Sequence, residues 1–206
     1  MRLNQILAFR DLEAAKPLLI FDPKQALSGD ISKASSKIGK YLSKIKKPSD
    51  IHKSSLESPL ASLIKTSEVN GFMMASHYTQ KLPTVKWSDR VLNSANARAS
   101  EVDGIVKAAT SKGLKSGDAY WLSSARAEKI ANYEATKAFY SGVLANFKDS
   151  NYTKEWILNE AHGEDDDCDD ADDDGPIDVD EDFSNGYDAP PSHLNCQCTL
   201  GFRQTK

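Results

Sequence analysis

The sequence predicts an α+β fold, mainly helical, with a small β-rich and loop-rich unit at its C-terminal end. Three observations carry this. Apolar residues recur at three- and four-residue spacing from Ile31 to about Phe147. That grammar stops after Ser150, where short apolar runs alternate with Asp, Gly and Pro. The charge also divides there: residues 1–159 hold 24 Lys/Arg and 15 Asp/Glu, whereas residues 160–206 hold 2 and 15.

The elements follow in chain order. Residues 1–21 have no clean period and are interrupted by Pro17, with Pro23 just beyond. Ile31, Ala34, Ile38, Tyr41, Leu42 and Ile45 form the stripe of a first helix, which Pro48 ends. Its other face carries Lys33, Lys37, Lys40, Lys44, Lys46 and Lys47, either as a solvated face or as a contact for DNA or an acidic partner. Leu56, Leu60, Leu63 and Ile64 predict a second, short helix ended by Asn70-Gly71, and residues 71–80 a third. The strongest period runs over residues 87–110, with Ser88-Asp89 at the N-cap position and Gly113 beyond its end. A last helix spans residues 123–147, with Ile130, Tyr133, Tyr140, Leu144 and Phe147 inward. The two long helices are expected to pack as an antiparallel pair, giving segments 1–85 (basic, helical), 86–150 (helical core pair) and 151–206 (acidic, Cys/His-containing). Trp156-Ile157-Leu158 and the runs at 176–179 and 198–202 are strand candidates.

With 206 residues the chain is long enough to bury a core. No stretch approaches the ~20 apolar residues of a membrane span, so no membrane role is expected. Three cysteines cannot all pair, which argues against a disulfide-built secreted fold. There is no Gly-x-Ser-x-Gly, phosphate loop or His-Glu-x-x-His, so no catalysis is expected.

Two constellations carry metal chemistry. Residues 164–182 hold 13 carboxylates in 19 positions, which repel unless solvated or neutralised. Within them Asp170, Asp172, Asp174, Asp178 and Glu181 stand at positions 1, 3, 5, 9 and 12 of a calcium loop, with Gly175 at position 6. No exit helix is expected after Glu181, so the alternatives are an isolated calcium loop or a plain acidic one. The second constellation is Cys168, His193, Cys196 and Cys198, a tetrahedral zinc set by type. Its alternatives are reduced thiols beside a surface histidine, or a Cys/His pair for nucleophilic catalysis.

The same segment resembles a known pattern. Trp156, Cys168-x-x-Ala171, Asp174-Gly175, Asp180-Glu181-x-Phe183 and Pro190-Pro191-x-His193-x-Asn195-Cys196-x-Cys198 are similar to the signature of phage minor head proteins, the head-morphogenesis family typified by phage Mu protein F. Ile130, Ala131 and Glu134 match the family's Ile-Ala-Arg-Thr-Glu helix. Ala171 stands where that pattern has a second Cys, and Leu194 and Gln197 replace its Pro and Arg. A four-Cys zinc set would therefore be one ligand short here, with His193 in its place. The resemblance implies a virion component at the portal vertex or capsid interior, present in the host cytoplasm during assembly. Its implied partners are the portal and major capsid proteins, with packaged DNA near the Lys-rich helix. The competing readings are a Cys/His-dependent hydrolase or toxin-like module and a stand-alone metal-binding interaction module.

Overall fold

A computed structural model describes residues 17–45, 50, 52–81, 96–97, 99–104, 107, 122–159 and 167–205. Three long helices and a four-stranded antiparallel sheet share one hydrophobic core, in the mainly helical α+β architecture expected.

The chain enters through a strand that its sequence does not announce. β1, Leu19–Phe21, pairs antiparallel with the chain's last strand, placing Leu19 opposite Phe202 and Phe21 opposite Leu200. Asp22 then caps helix α1, Pro23–Leu42, its carboxylate accepting from the amides of Lys24 (2.9 Å) and Gln25 (3.3 Å). Pro23 suits the first helical position because its missing N–H would have no helical partner there. Leu27, Ile31, Ala34, Ile38 and Leu42 are buried, as the spacing predicts.

Helix α2, Lys53–Thr79, corrects the expected pair of short helices. Asn70-Gly71 does not end it. A Cβ at position 71 would lie 2.0 Å from the carbonyl oxygen of Phe139, so Gly71 lets a neighbouring helix approach backbone to backbone. That neighbour is α3, Ser124–Phe147, found where the last helix was expected.

Helix α3 packs against both α1 and α2. Gly39 of α1 rests on Ser124 and Ala127 at the start of α3, while Phe21, just before α1, accepts a hydrogen bond from Tyr140 near its end. The two helices therefore run antiparallel. The ends of α2 and α3 lie together instead: the Thr79 hydroxyl donates to Asn146, and Lys81 Nζ donates to the carbonyl of Lys148. The expected partner helix at 87–110 lies largely outside the described residues. Within it, residues 96–97, 99–104 and 107 are helical, and Ala99 and Val102 join the core.

The other strands fall where the apolar runs predicted. β2 is Tyr152–Ile157, β3 is Ile177–Asp178 and β4 is Thr199–Gln204, giving the sheet order β1-β4-β2-β3. An aromatic cluster joins sheet to helices. Phe147 stacks on Phe202 at 4.4 Å between centroids, and Phe21 meets Phe147, Phe202 and Tyr78 edge-on. Among the described residues no helix is long and apolar enough to cross a membrane.

Candidate metal centre

The C-terminal unit is built on β2, whose buried side chains include Lys154 and Trp156. Trp156 packs edge-on against Phe183, with ring centroids 5.3 Å apart. The chain between them forms a short helix, α4, Asp167–Asp173, and then turns at Gly175 with a left-handed φ of 66°. Cys168 and Ala171, one turn apart, are its buried face. Its acidic residues face outward, and Asp167, Asp169 and Asp170 in the first turn complement the helix dipole.

The turn after Phe183 holds this helix in place. Asn185 Nδ2 donates to the Asp167 carbonyl (2.7 Å), and the Ser184 hydroxyl to the Asp170 carbonyl (3.0 Å). The Ser184 amide donates to the Asp174 carboxylate at 2.7 Å. Beyond it, the Cys196 amide closes a turn onto the His193 carbonyl (3.0 Å), which brings both side chains back over Cys168.

Three ligand atoms meet there. Cys168 Sγ lies 3.7 Å from His193 Nε2 and 3.7 Å from Cys196 Sγ, and all three lie within 4.8 Å of one another. Cys168 is buried, Cys196 half-buried and His193 exposed. Ser192 adds a hydroxyl 3.2 Å from Cys168 Sγ. Cys198 is buried beside the group, and its thiol interacts with Cys196 and Cys168, but it is not one of the three. The cluster can hold a metal ion.

Electrostatics distinguish the thiols. Burial pushes the Cys168 thiol up to about 12. The hydrogen bond between Cys196 and Cys198 lowers the pKa of Cys196 and raises that of Cys198, so Cys196 is the one poised to ionise. Burial and the indole N–H of Trp156 act on Cys198 in opposite directions, the indole favouring the thiolate.

The calcium candidates are placed on separate elements. Asp170 and Asp172 lie on α4, where residues two apart point about 200° apart around the axis. In this structure they do not have the alternate-residue arrangement of a calcium loop. Asp174 is engaged by the Ser184 amide, and Asp178 lies on β3. Among the described residues, the group whose ligand atoms converge is Cys168, His193 and Cys196, and it includes none of Asp170, Asp172, Asp174, Asp178 or Glu181.

Sequence reasoning passed over Lys154. Its ammonium is buried, donates to the Asp188 carbonyl at 2.9 Å and lies 5.1 Å from the centre of the Phe183 ring. Burial lowers its pKa, while Asp188, Asp182, Asp180 and Asp178 act to raise it. Part of the neutralising cation sought for the acidic run is thus a side chain of the chain itself. The available signal was period two, which places Lys154 on the same face as Trp156. Ser192 also carried no signal. A cleft of about 200 Å³ adjoins His193, bounded by Glu101, Val102, Ile130, Glu134 and Leu194.

No family model, curated protein or solved structure matches this chain.

Proposed function

We propose that this protein is a structural component of a phage head, acting in head morphogenesis, and that zinc closes its C-terminal unit. The observation that carries the reading is the convergence of Cys168 with His193 and Cys196. These are the motif positions on which the resemblance to minor head proteins rests, and α4 and the turn before β4 bring them together.

The spacing suits zinc. Two thiolates at ~2.3 Å from a tetrahedral ion sit about 3.8 Å apart, and a thiolate and an imidazole nitrogen about 3.6 Å. The observed separations are 3.7 Å in both cases. Two sulfurs and one imidazole also favour zinc over the hard cations, which select oxygen. Cys198 is the nearest candidate for a fourth ligand. A bound ion would cross-link α4 to the chain's end and hold this face rigid for docking on the portal or major capsid protein. In this reading the protein works by contact in the capsid interior or portal vertex, not by turnover.

The test has two parts. Metal analysis of purified protein should find equimolar zinc, which Cys196→Ser should abolish. Particles assembled with that variant should then lack the protein or fail to close. Normal particles containing the zinc-free variant would remove the metal from the function, and absence of the wild-type protein from particles would remove the head reading.

One observation favours a second reading, a Cys-dependent hydrolase: Cys196 is the thiol held below its ordinary value, and it clusters with His193, which lines a cleft. Stoichiometric alkylation of Cys196 in zinc-loaded protein, with loss of a measured hydrolysis, would favour it.

A further inference from the structure

The exposed stripe of α1 is positive. Lys33, Lys37 and Lys40 are exposed and fall within about 60° of one another around the helix, and Lys44, also exposed, follows in the turn just beyond it. Lys37, Lys40 and Lys44 line a cleft of about 570 Å³ with Tyr41, Asp50, His52 and Ser55, in which the three lysines outnumber the one carboxylate. Among the described residues none of these lysines makes an ion pair. The C-terminal unit presents the opposite charge. Asp167, Asp170, Asp173, Asp180, Glu181 and Asp182 are exposed, and none makes an ion pair among the described residues.

The two surfaces belong to different elements of the fold. Lys24 Nζ donates to Gln197 at 3.2 Å, fixing the start of α1 beside the C-terminal unit. Lys40 lies 16 residues further along, about 24 Å at 1.5 Å per residue. The far end of α1 is pinned on α3 through Gly39. Each molecule thus carries two oppositely charged surfaces, and among the described residues no ion pair joins them.

We infer that the lysine cleft of α1 receives the acidic α4–β3 face of a second copy of this chain, in a head-to-tail contact. Opposed single-sign patches create potentials of several kT that steer and orient association. The contact is heterologous, so each copy retains one free surface and association continues into rings or open chains. It is a property of the isolated chain and stands apart from the head-assembly reading. A DNA duplex is the competing occupant of the same lysines. The acidic surface favours the second copy, because duplex binding would leave that surface unengaged.

Sedimentation of the whole protein tests this. At about 20 mM NaCl, where the Debye length is roughly 20 Å, the weight-average mass should exceed twice the monomer's. At about 500 mM, where it is roughly 4 Å, the mass should return to the monomer's. Lys37→Glu/Lys40→Glu/Lys44→Glu and Asp170→Lys/Asp173→Lys/Glu181→Lys should each stay monomeric at low salt, with wild-type circular dichroism. Mixing the two variants restores one native pair, the acidic face of the first against the lysine cleft of the second, so the mixture should associate at low salt, and a mixture that stays monomeric overturns the inference. Mixing either with wild type should shorten the assemblies, because the variant caps one end. A monomeric wild type at low salt overturns the inference. So does a monomer that shifts a labelled duplex through Lys37, Lys40 and Lys44, which assigns the cleft to DNA.

Discussion

Gly71 and Gly142 face each other across one helix crossing, and each lies against the backbone of the opposite helix. A Cβ on Gly71 would meet the Phe139 carbonyl oxygen at 2.0 Å, and one on Gly142 the Glu68 carbonyl oxygen at 2.1 Å. Phe139 is one turn before Gly142, and Glu68 one turn before Gly71. The crossing thus has a reciprocal geometry in which each glycine admits the preceding turn of its neighbour. It sets how closely α2 approaches α3, and so where Tyr140 and Phe147 reach the sheet.

Replacing either glycine with alanine should destabilise the fold by roughly 1–3 kcal/mol, toward the upper end because the obstacle is backbone and cannot rotate away. Gly29→Ala is the control. It lies in α1 with nothing within 4 Å of its added Cβ, and should be stabilising by up to about 1 kcal/mol. Urea unfolding of the three variants checks this. Equal midpoints would show that the crossing is not tight.

Tyr140 clamps the two ends of the chain. Its hydroxyl donates to the Phe21 carbonyl (2.8 Å) and accepts from the Leu200 amide (3.1 Å), and these residues face each other in the β1–β4 ladder. Tyr140→Phe should cost about 1–3 kcal/mol, since it leaves buried polar groups without a partner. Amide exchange should accelerate first in β1. Unchanged protection at Leu200 would contradict the clamp.

Lys154 gives the fold a pH dependence whose sign follows from burial. Its pKa in the folded chain is below the ordinary 10.5. Between that lowered value and 10.5, the unfolded chain binds more proton than the folded one, so this residue makes stability rise with pH through that window and fall as pH drops through the lowered value. Lys154→Met should remove this component. The difference in unfolding free energy between wild type and variant, followed from pH 7 upward, should therefore move in favour of wild type. A difference flat across that range would show that the ammonium is not desolvated.

Legibility in the sequence tracked the range of the interactions. The strand candidates at 156–158, 176–179 and 198–202 came close because short apolar runs between turn residues are local signals. β1 was invisible because Leu19–Phe21 is a strand only through β4, at the other end of the chain. Asn70-Gly71 carried a helix-stop signal that tertiary packing overrode, since the approach of α3 requires the glycine. In the candidate site, residue type and spacing pointed to Cys168, His193, Cys196 and Cys198, of which the first three converge. The alternating carboxylates misled, because alternation describes a loop only if the residues are not helical. Asp170 and Asp172 are helical.

With zinc bound as proposed, its removal should loosen the C-terminal unit more than the helices. Cys168 joins the described hydrophobic core and Cys196 packs against it, while α1, α2 and α3 also pack extensively on one another. A chelator should therefore raise amide exchange across residues 167–200 while the helical circular dichroism stays close to that of loaded protein. Cys168→Ser should reproduce this without chelator. Zinc must displace the Cys168 proton, which burial holds to about 12 in the metal-free chain, so affinity should fall about tenfold or more for each unit drop in pH. Calcium should not restore protection, because the carboxylates of Asp170, Asp172, Asp174, Asp178 and Glu181 do not converge. Titration with each metal, read by exchange at residues 167–200, checks both. Protection restored by calcium and not by zinc would move the site from the thiols to the acidic run.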